Sequence, residues 1–497
     1  DGCLQCCCRN FMSKNTQDER GVDTASDHRR VVVVGGGLAG LSAAAALAES
    51  GFAVDVIESR RNCGGRAASF EDPQDGSLVD ACQHVAMGCC TNFLDLCQRA
   101  GFGSKLRRDR TLWFIGPDGN RSACTPAGWL PAPLHLLPLL FGMSHFSVWE
   151  KLALTYGMMR LAVRQNIAKD DTEPTASCWL HSRQPKRVID LFWQPVIESA
   201  LGESMEFVGI SAVRKVVVDG FLAHPKAADL LVPTEPLGEL FGTRLVSWLE
   251  DQGVVIHTGR TVTGIRYDDS HEVTGVWCGE DVMPADAVVL AVPWRAAARL
   301  VPDVLPPVDE SFIGSPITAV HLWFDRQIFD LPHAVLVGRV SQWVFQGEEE
   351  AMQTEEKKSG RKREEMGHHC QVVISASRGL CDGNREQLLE TVVAELREIF
   401  PEAQAAHLIR SRVVTDPTAV LSVRPGIDTV RPSAKTLIKN LFLAGDWTQT
   451  GWPSTMEGAV RSGRHAASML NKTINRIEQP LDKDLRKNAL IRLLVGG

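Results

Sequence analysis

The glycine-rich segment after the first apolar run constrains the fold of this chain most. Four valines at 31–34 lead directly into Gly35-Gly36-Gly37-Leu38-Ala39-Gly40, and an Ala/Leu-rich stretch follows to residue 50. A continuous β-branched run before glycines predicts a parallel strand buried on both faces. The Ala/Leu-rich stretch predicts a helix ended by Gly51, and residues 53–57 predict a second strand. The sequence therefore predicts a βαβ unit near its start.

The glycines of this unit have the spacing of a phosphate-binding turn. Gly35, Gly37 and Gly40 occupy the three positions of G-x-G-x-x-G between a predicted strand and a predicted helix, which is the context that gives the motif meaning. The first glycine permits the tight turn, the second lets a pyrophosphate approach the backbone, and the third lets helix and strand pack closely. Leu38 and Ala39 open the helix, whose N-terminus presents free N–H groups to phosphates.

A carboxylate and a second glycine loop follow. Glu58 ends the second strand, 18 residues after Gly40. A carboxylate there accepts hydrogen bonds from both ribose hydroxyls and disfavours a 2′-phosphate. In the loop Cys63-Gly64-Gly65-Arg66, glycine allows close approach and the guanidinium of Arg66 pairs bidentately with phosphate oxygens. These residues predict a dinucleotide site.

A segment near the C-terminus has the pattern of another strand, turn and helix. Leu443-Ala444 leads into Gly445 and Asp446, and a helix with small residues on its packing face is predicted from Met456 and Glu457 onward. The N-terminus of such a helix can face the pyrimidine ring of a flavin, where negative charge grows on reduction. On spacing alone, a unit that only completes the sheet fits equally well.

Composition excludes several classes of protein. The chain has 497 residues, 44% of them hydrophobic and 23% charged, which predicts a globular protein of two or more domains. The net charge of −7 gives no electrostatic footprint for nucleic acid. No apolar stretch reaches the roughly 18 residues of a membrane span. Four of the fourteen cysteines lie within residues 3–8, where no histidine completes a zinc spacing, and the others fit single thiols of a cytosolic protein. We therefore predict no metal site.

Together these motifs resemble the FAD-dependent amine oxidase and carotenoid desaturase superfamily. More narrowly, the chain resembles the hydroxysqualene dehydroxylases at residues 80–85, 134–138, 287–294 and 445–463. The last of these segments is the most specific, because it combines Gly-Asp-Trp-Thr with Met-Glu-Gly-Ala-Val-Arg-Ser-Gly. The likeness extends from about residue 30 to residue 472, which is nearly the whole predicted globular part.

The resemblance implies an α/β fold, with a Rossmann-like FAD-binding domain that is discontinuous in sequence and an inserted mixed α+β substrate domain. It implies non-covalent FAD in contact with Gly35, Gly37, Gly40, Glu58, Arg66 and Asp446. Met456 and Glu457 would lie beside the flavin, and Val262, in a strand after residues 254–256, would hold the adenine through its backbone. We expect disorder at 1–28, FAD-binding parts at 29–100, 236–300 and 426–472, substrate-domain parts at 101–235 and 301–425 with a charged insertion at 347–367, and a tail at 473–497.

The activity that the resemblance implies is the reductive dehydroxylation of hydroxysqualene to squalene, for hopanoid or carotenoid biosynthesis. If the allylic hydroxyl leaves as water, hydride from reduced FAD quenches the remaining allylic cation. We expect His84 to be the acid, since histidine titrates near working pH, with Gln83 as its orienting partner. A histidine held by a backbone carbonyl without chemistry is the alternative. The usual Asp-Asn-Gly-Gln-His is changed here, because Ala81 and Cys82 replace Asn and Gly.

Three other functions stay open at this point. Plant-type carotene desaturases share the helix that begins at Met456, so desaturation of phytoene or another polyisoprenoid is the second candidate. Amine oxidases of the superfamily usually place a tyrosine before this helix, where Thr455 stands here. A non-catalytic flavin- or lipid-binding protein is the third alternative.

A polyisoprenoid substrate resides in the bilayer, so we expect a cytoplasmic protein attached peripherally to the inner face of the plasma membrane, with an electron donor for FAD as a further partner. Residues 134–143 are one expected membrane contact. They also suit the lining or the mouth of a substrate tunnel, and ordinary core residues fit the same pattern equally well. The other expected contact is an interfacial amphipathic helix in the tail, predicted from the near-helical spacing of Leu481, Leu485, Leu490, Leu493 and Leu494. A helix packed on the FAD domain, with its cations in solvent, fits the same spacing equally well.

Overall fold

The structure is a computed structural model that describes residues 29–73, 76–163, 172–305, 311–347, 367–381 and 383–495. The predictions for residues 1–28, including the cysteine cluster, and for nearly all of the charged insertion lie outside these ranges.

The strands are β1 Arg30–Val34, β2 Ala53–Ile57, β3 Ser69–Glu71, β4 Leu78–Asp80, β5 Ala86–Met87, β6 Leu106–Asp109, β7 Leu112–Ile115, β8 Arg121–Cys124, β9 Leu230–Pro233, β10 Val255–His257, β11 Gly264–Tyr267, β12 Val273–Cys278, β13 Asp281–Pro284, β14 Ala287–Leu290, β15 Gly314–Phe324, β16 His333–Leu336, β17 Trp343–Gln346, β18 His368–Ser375, β19 Leu408–Leu421 and β20 Leu441–Leu443.

Helices fill the space between the strands, and three of the helical stretches, at Ile189–Trp193, Val216–Leu222 and Gly238–Arg244, are π-helical. The α-helices are α1 Leu38–Glu49, α2 Thr91–Arg99, α3 Leu137–Gly142, α4 Val148–Val163, α5 Ala176–His181, α6 Lys186–Val188, α7 Gln194–Leu201, α8 Ile210–Lys215, α9 Leu245–Asp251, α10 Trp294–Leu300, α11 Arg378–Cys381, α12 Arg385–Ile399, α13 Pro401–Gln404, α14 Ile427–Val430, α15 Met456–Asn475 and α16 Ala489–Val495.

A five-stranded parallel sheet positions the predicted phosphate-binding turn. Its strand order is β10-β2-β1-β14-β20, and every neighbouring pair is parallel. The four valines of β1 are buried because β1 lies in the middle of this sheet. The predicted βαβ unit is confirmed within a residue or two at each end. The order and direction of the strands are those of a Rossmann-like α/β fold, which confirms the predicted fold class.

Helix α15 lies directly on α1, although 406 residues separate the ends of the two helices in the sequence. Gly463 makes this possible, since a Cβ at that position would collide with the carbonyl oxygen of Ala39 and lie 2.8 Å from the backbone nitrogen of Ala43. Ser42 donates a hydrogen bond of 3.0 Å to the Val460 carbonyl across the same contact. The C-terminal segment is therefore built into the same layer as the first helix.

A seven-stranded sheet of order β19-β15-β18-β17-β16-β7-β8 forms the second large layer. In sequence, residues 318–325 alternate like a strand with one exposed face, but the structure does not have that exposed face. Strand β15 is buried along nearly its whole length. Val320, Leu322 and Phe324 pack with α12 on one face, and His321 lies against His369 on the other, with a nitrogen–nitrogen distance of 3.1 Å.

The tail does not form the amphipathic helix that we predicted from its leucines. Among the described residues after α15, only α16 is helical, and Leu481 and Leu485 lie in irregular chain before it. Polar contacts hold that chain against the body of the protein: Arg464 pairs with Asp482, Arg461 with Asp484, and Lys487 with Asp219. Ile491 is fully buried where α16 packs on α4. No helix among the described residues is both long and apolar enough to cross a bilayer.

Candidate cofactor and substrate site

A cavity of about 1350 Å³ begins at the carboxyl ends of β1 and β2 and extends to α3, α4 and α16. Small-molecule pockets usually measure about 300–1,000 Å³, so this one has room for a dinucleotide and a second long ligand. All the predicted site residues except Gly40 line it: Gly35, Gly37, Leu38, Ala39, Glu58, Gly65, Arg66, Gln83, His84, Val262, Gly445, Asp446, Met456 and Glu457.

The glycine turn has the geometry of a phosphate cradle. Gly35 has a φ of +111°, and a Cβ there would lie 2.5 Å from the carbonyl oxygen of Ala291. At Gly37 the nearest atom to an added Cβ is the Cα of Gly65, 3.9 Å away, so a side chain would fill the cavity. The first N–H groups of α1 have no partner within the helix, and no side chain caps them. The turn therefore fits the pyrophosphate of FAD.

The backbone holds the carboxylate of Glu58 at the end of β2. Its Oε2 accepts a hydrogen bond of 2.7 Å from Gly36 N–H, and its Oε1 accepts one of 2.8 Å from Arg60 N–H. The Gly-Gly-Arg loop lies next to it, because Gly64 N–H donates to the Gly36 carbonyl at 2.8 Å. The two glycine segments and Glu58, all predicted to bind one dinucleotide, are thus in contact with one another.

Val262 also lines the cavity, but not from a strand. It lies in irregular chain between β10 and β11, so the prediction that it belongs to a strand is wrong. The turn after β10 is folded back onto β2, because Arg260 N–H donates to the Glu58 carbonyl at 3.0 Å. This contact brings Val262 to the Glu58 end of the cavity although β10 has already ended.

Arg66 and Asp446, which we expected to contact the cofactor separately, form an ion pair of 2.5 Å on the cavity wall. The guanidinium also donates to the carbonyl of Ala419 at 2.9 Å. Burial alone would raise the pKa of Asp446, but Arg66, Ser454 and Arg431 hold it below its usual range. Asp446 is therefore ionised, and it fixes the orientation of Arg66.

The buried side chain of Arg431 binds the backbone of the turn at Gly445 and Asp446. Arg431 belongs to none of the sequence motifs. Its Nη2 donates to the Asp446 carbonyl at 2.6 Å, and its Nη1 donates to the Trp452 carbonyl at 2.7 Å. Gly445 N–H donates to Ser462 Oγ at 2.8 Å. The turn is thus held from both sides before any ligand binds.

The N-terminus of α15 reaches the cavity through Met456, and Thr455 caps the helix by accepting a hydrogen bond from Gly458 N–H at 3.1 Å. The carboxylate of Glu457, in contrast, is fully buried. It accepts hydrogen bonds from the backbone N–H groups of Asn92 and Phe93 at 3.2 and 2.8 Å, and it pairs with Arg461 Nε at 2.7 Å. Glu457 therefore attaches the N-terminus of α2 to α15.

His84 lies in the cavity wall with its ring held by the backbone. Its Nδ1 is 2.8 Å from the carbonyl oxygen of Cys82. Because a carbonyl only accepts, Nδ1 carries the proton and Nε2 is an acceptor in the neutral ring. Burial lowers the pKa of His84, and Arg66 acts in the same direction, while the Cys82 carbonyl and Asp416 oppose them. Gln83 lines the cavity beside it.

The rest of the cavity is mainly apolar. Its wall comes from the residue 134–143 segment, α4, α7, the π-helical stretch Val216–Leu222 and the seven-stranded sheet. Apart from the 134–143 segment, none of these elements was assigned to the site from the sequence, since their apolar residues have the same patterns as ordinary core. The apolar lining includes Leu112, Phe114, Leu136, Leu140, Met158, Phe192, Val196, Phe221, Trp343, Phe345 and Leu494.

Comparisons with known proteins agree with this geometry. The family model described as flavin containing amine oxidoreductase matches residues 38–471. A 15-cis-phytoene desaturase of Synechococcus elongatus is 25% identical over 467 residues, covering 89% of this chain and 95% of the relative. A hydroxysqualene dehydroxylase of Rhodopseudomonas palustris is 27% identical over 451 residues, covering 89% and 98%. The solved structure of cyclohexylamine oxidase from Brevibacterium oxydans has a TM-score of 0.64 at 17% identity, covering 90% and 100%.

The chain belongs to the flavin-containing amine oxidoreductase family. It is an FAD-dependent enzyme within the superfamily of amine oxidases and carotenoid desaturases. Within that superfamily it is similar to carotenoid desaturases and hydroxysqualene dehydroxylases. The likeness to the amine oxidase structure, at 17% identity, shows the fold alone.

Proposed function

We propose that the enzyme reductively dehydroxylates hydroxysqualene to squalene. The observation that carries this proposal is the single cavity, which joins the phosphate cradle to a long apolar wall. Two relatives named hydroxysqualene dehydroxylase, at 27% and 23% identity, support it. In the balanced reaction the substrate takes up one proton and one hydride, its C–O bond breaks, and squalene and water leave.

Each part of the cavity has a role in this reaction. Gly35, Gly37 and the first turn of α1 bind the pyrophosphate, and Glu58 binds the ribose. FAD, when bound and reduced, supplies the hydride. The apolar wall holds the isoprenoid chain and excludes water from the reacting carbon. His84 is placed to hold the transferable proton at Nε2, because the Cys82 carbonyl fixes the proton at Nδ1.

One anaerobic experiment tests the proposal. Photoreduced protein is mixed with hydroxysqualene, oxidised protein is mixed with phytoene, and flavin absorbance and products are followed. We expect hydroxysqualene to reoxidise the flavin and to yield squalene. Failure of hydroxysqualene to do so would exclude the proposed reaction, and desaturation of phytoene by the oxidised protein would identify the second candidate in its place.

Desaturation is that second candidate, and the state of His84 favours it. A desaturase removes a hydride and a proton from its substrate, so it needs a base. A buried neutral histidine with an accepting Nε2 has the form of a base before any proton arrives. The relative named 15-cis-phytoene desaturase, at 25% identity, supports the same possibility.

The direction of the pH dependence separates the two reactions. Burial lowers the pKa of His84. The ring is therefore protonated only at a pH below the ordinary histidine pKa of about 6.5. If His84 is the acid of dehydroxylation, the single-turnover rate rises as the pH falls from 8 towards 5.5. If it is the base of desaturation, the rate rises with pH only up to the lowered pKa of His84 and is constant above it. His84→Ala should lower either rate by about 10²–10⁴-fold and flatten the profile. A loss below tenfold would remove His84 from both roles.

We also propose that the mouth of the cavity rests on a lipid bilayer. Large apolar side chains are exposed beside it, including Trp129 (84%), Phe141 (71%) and Trp149 (81%). The segments that carry them are joined, since Lys151 of α4 donates to the Phe141 carbonyl at 3.1 Å and α16 packs on α4. Leu134, Leu137 and Leu490 are partly exposed and also line the cavity. We call these residues the apolar rim.

Replacing Phe141 and Trp149 by serine should release the protein from vesicles. Burial of one large apolar side chain contributes about 1.5–3 kcal/mol, so the vesicle partition coefficient should fall about tenfold or more while flavin content stays constant. Flotation with vesicles measures it. Leu437→Ser is the matched control, because Leu437 is 94% exposed and does not line the cavity. Equal flotation of the double variant and the control would exclude the rim as the contact.

A further inference from the structure

Strand β19 contains an irregularity that changes the direction of one acidic side chain. Pairing with β15 shifts register between Ser315 and Ile317, whose partners on β19 are Val420 and Asp416. Between these pairs β15 has one residue and β19 has three, so β19 bulges. Pro417 lies in the bulge and lacks the N–H that a regular ladder requires. Bulges of this kind commonly redirect a side chain next to an active site.

The bulge is held by its own polar groups. Asp416 Oδ1 accepts hydrogen bonds from Thr418 N–H at 2.8 Å and from Thr418 Oγ1 at 3.3 Å. The carbonyl of Ala419 accepts the hydrogen bond from Arg66 Nη1. Both Asp416 and Ala419 line the cavity, so the bulge faces the Arg66 and His84 part of the site.

Asp416 differs from the other acidic side chains of the cavity wall. The oxygens of Glu58, Asp219, Asp446 and Glu457 are all engaged by backbone N–H groups, hydroxyls or cations. Asp416 Oδ2, in contrast, has no hydrogen bond or ion pair from any residue in the described part of the chain. Among the described residues that line the cavity, Asp416 is the one carboxylate with a free oxygen, at a wall that is otherwise mainly apolar.

A free carboxylate oxygen in an apolar cavity suits a substrate that becomes positively charged. When the C–O bond of hydroxysqualene breaks, the departing oxygen takes a proton and leaves as water, and a positive charge spreads over the allylic carbons. A fixed negative charge in a water-poor site lowers the energy of that state far more than it lowers the energy of the neutral substrate.

We propose that Asp416 is the counter-charge to the allylic cation of the dehydroxylation. This inference rests on the proposed function. Asp416 belongs to no sequence motif, and the bulge in β19 sets the direction of its side chain at the cavity wall. The group that donates the proton is separate from Asp416.

The test compares Asp416→Asn with the wild type. Asparagine keeps the oxygen that accepts from Thr418 N–H, so the bulge is retained while the charge is lost. We expect the single-turnover rate with hydroxysqualene to fall by about 10²-fold or more, with unchanged flavin content. Asp416→Glu should recover part of the loss, because it restores the charge. Asp330→Asn, at a carboxylate 76% exposed, is the control and should match the wild type.

A binding measurement gives a readout that a merely structural role would not change. A squalene analogue with a protonated tertiary amine at its centre imitates the cation, and squalene is its neutral counterpart. Flavin fluorescence should report tighter binding of the amine to the wild type, and Asp416→Asn should remove that preference without weakening squalene binding.

The outcomes separate this inference from the function on which it rests. If the wild type forms no squalene from hydroxysqualene, the proposed function fails first. If the wild type is active but Asp416→Asn stays within threefold of it, or keeps its preference for the amine, the counter-charge role is overturned alone.

Discussion

Gly40→Val should yield a protein without FAD. A Cβ at Gly40 would collide with the carbonyl oxygen of Gly35 and lie 3.2 Å from the Cβ of Ala291. Backbone atoms of the turn cannot move aside without moving α1 away from β1 and β14, and these elements form the phosphate cradle. The branched side chain of valine adds to the conflict. We therefore expect loss of the flavin absorbance and, since α1 packs in the same core as these strands, a large loss of soluble protein.

The measurement is the flavin-to-protein absorbance ratio after purification in excess FAD. Gly379→Val is the matched control, because an added Cβ at Gly379 has no heavy atom within 4 Å, and Gly379 is exposed and does not line the cavity. It should retain full flavin. A soluble Gly40→Val protein with a normal ratio would contradict the assignment of residues 35–40 as the phosphate-binding turn.

Local patterns were enough to predict the parts of the fold that local patterns determine. The strand β1, the helix α1 and the acid at Glu58 follow from an apolar run, a glycine spacing and a carboxylate at a fixed distance. Each of these signals acts over a few residues, and in the structure each has the predicted position. The C-terminal helix at Met456 was predicted for the same reason.

The features that were missed depend on contacts between distant segments. Strand β15 looks amphipathic in sequence, but Val320, Leu322 and Phe324 share a core with α12, and His321 on the opposite face is buried next to His369 of β18. The leucine spacing of the tail predicts a helix. In the structure, ion pairs with Arg461, Arg464 and Asp219 hold most of the tail in an irregular conformation. Asp416 and Arg431 belong to no sequence motif. A bulge sets the position of Asp416 and a buried turn sets that of Arg431, and both depend on contacts between distant segments.

Glu457 belongs to the C-terminal sequence motif, but its carboxylate contacts α2 and Arg461. The resemblance placed it beside the flavin, and it does belong to the cavity wall. Yet its carboxylate is bound by the N-terminus of α2 and by Arg461, which is 10% exposed. Negative charge at a helix N-terminus is stabilising, and here it also neutralises a nearly buried guanidinium. We infer that Glu457 mainly stabilises the fold.

Glu457→Ala should therefore destabilise the protein strongly. Removing one partner of a buried ion pair costs about 3–5 kcal/mol, because the remaining charge stays buried without compensation. Urea unfolding at fixed excess FAD should show a much lower midpoint. Glu272→Ala is the matched control, since Glu272 pairs with Lys439 at 2.9 Å in solvent, where such pairs contribute about 0–1 kcal/mol. Equal midpoints for the two variants would show that the Glu457 carboxylate does not hold α2 on α15.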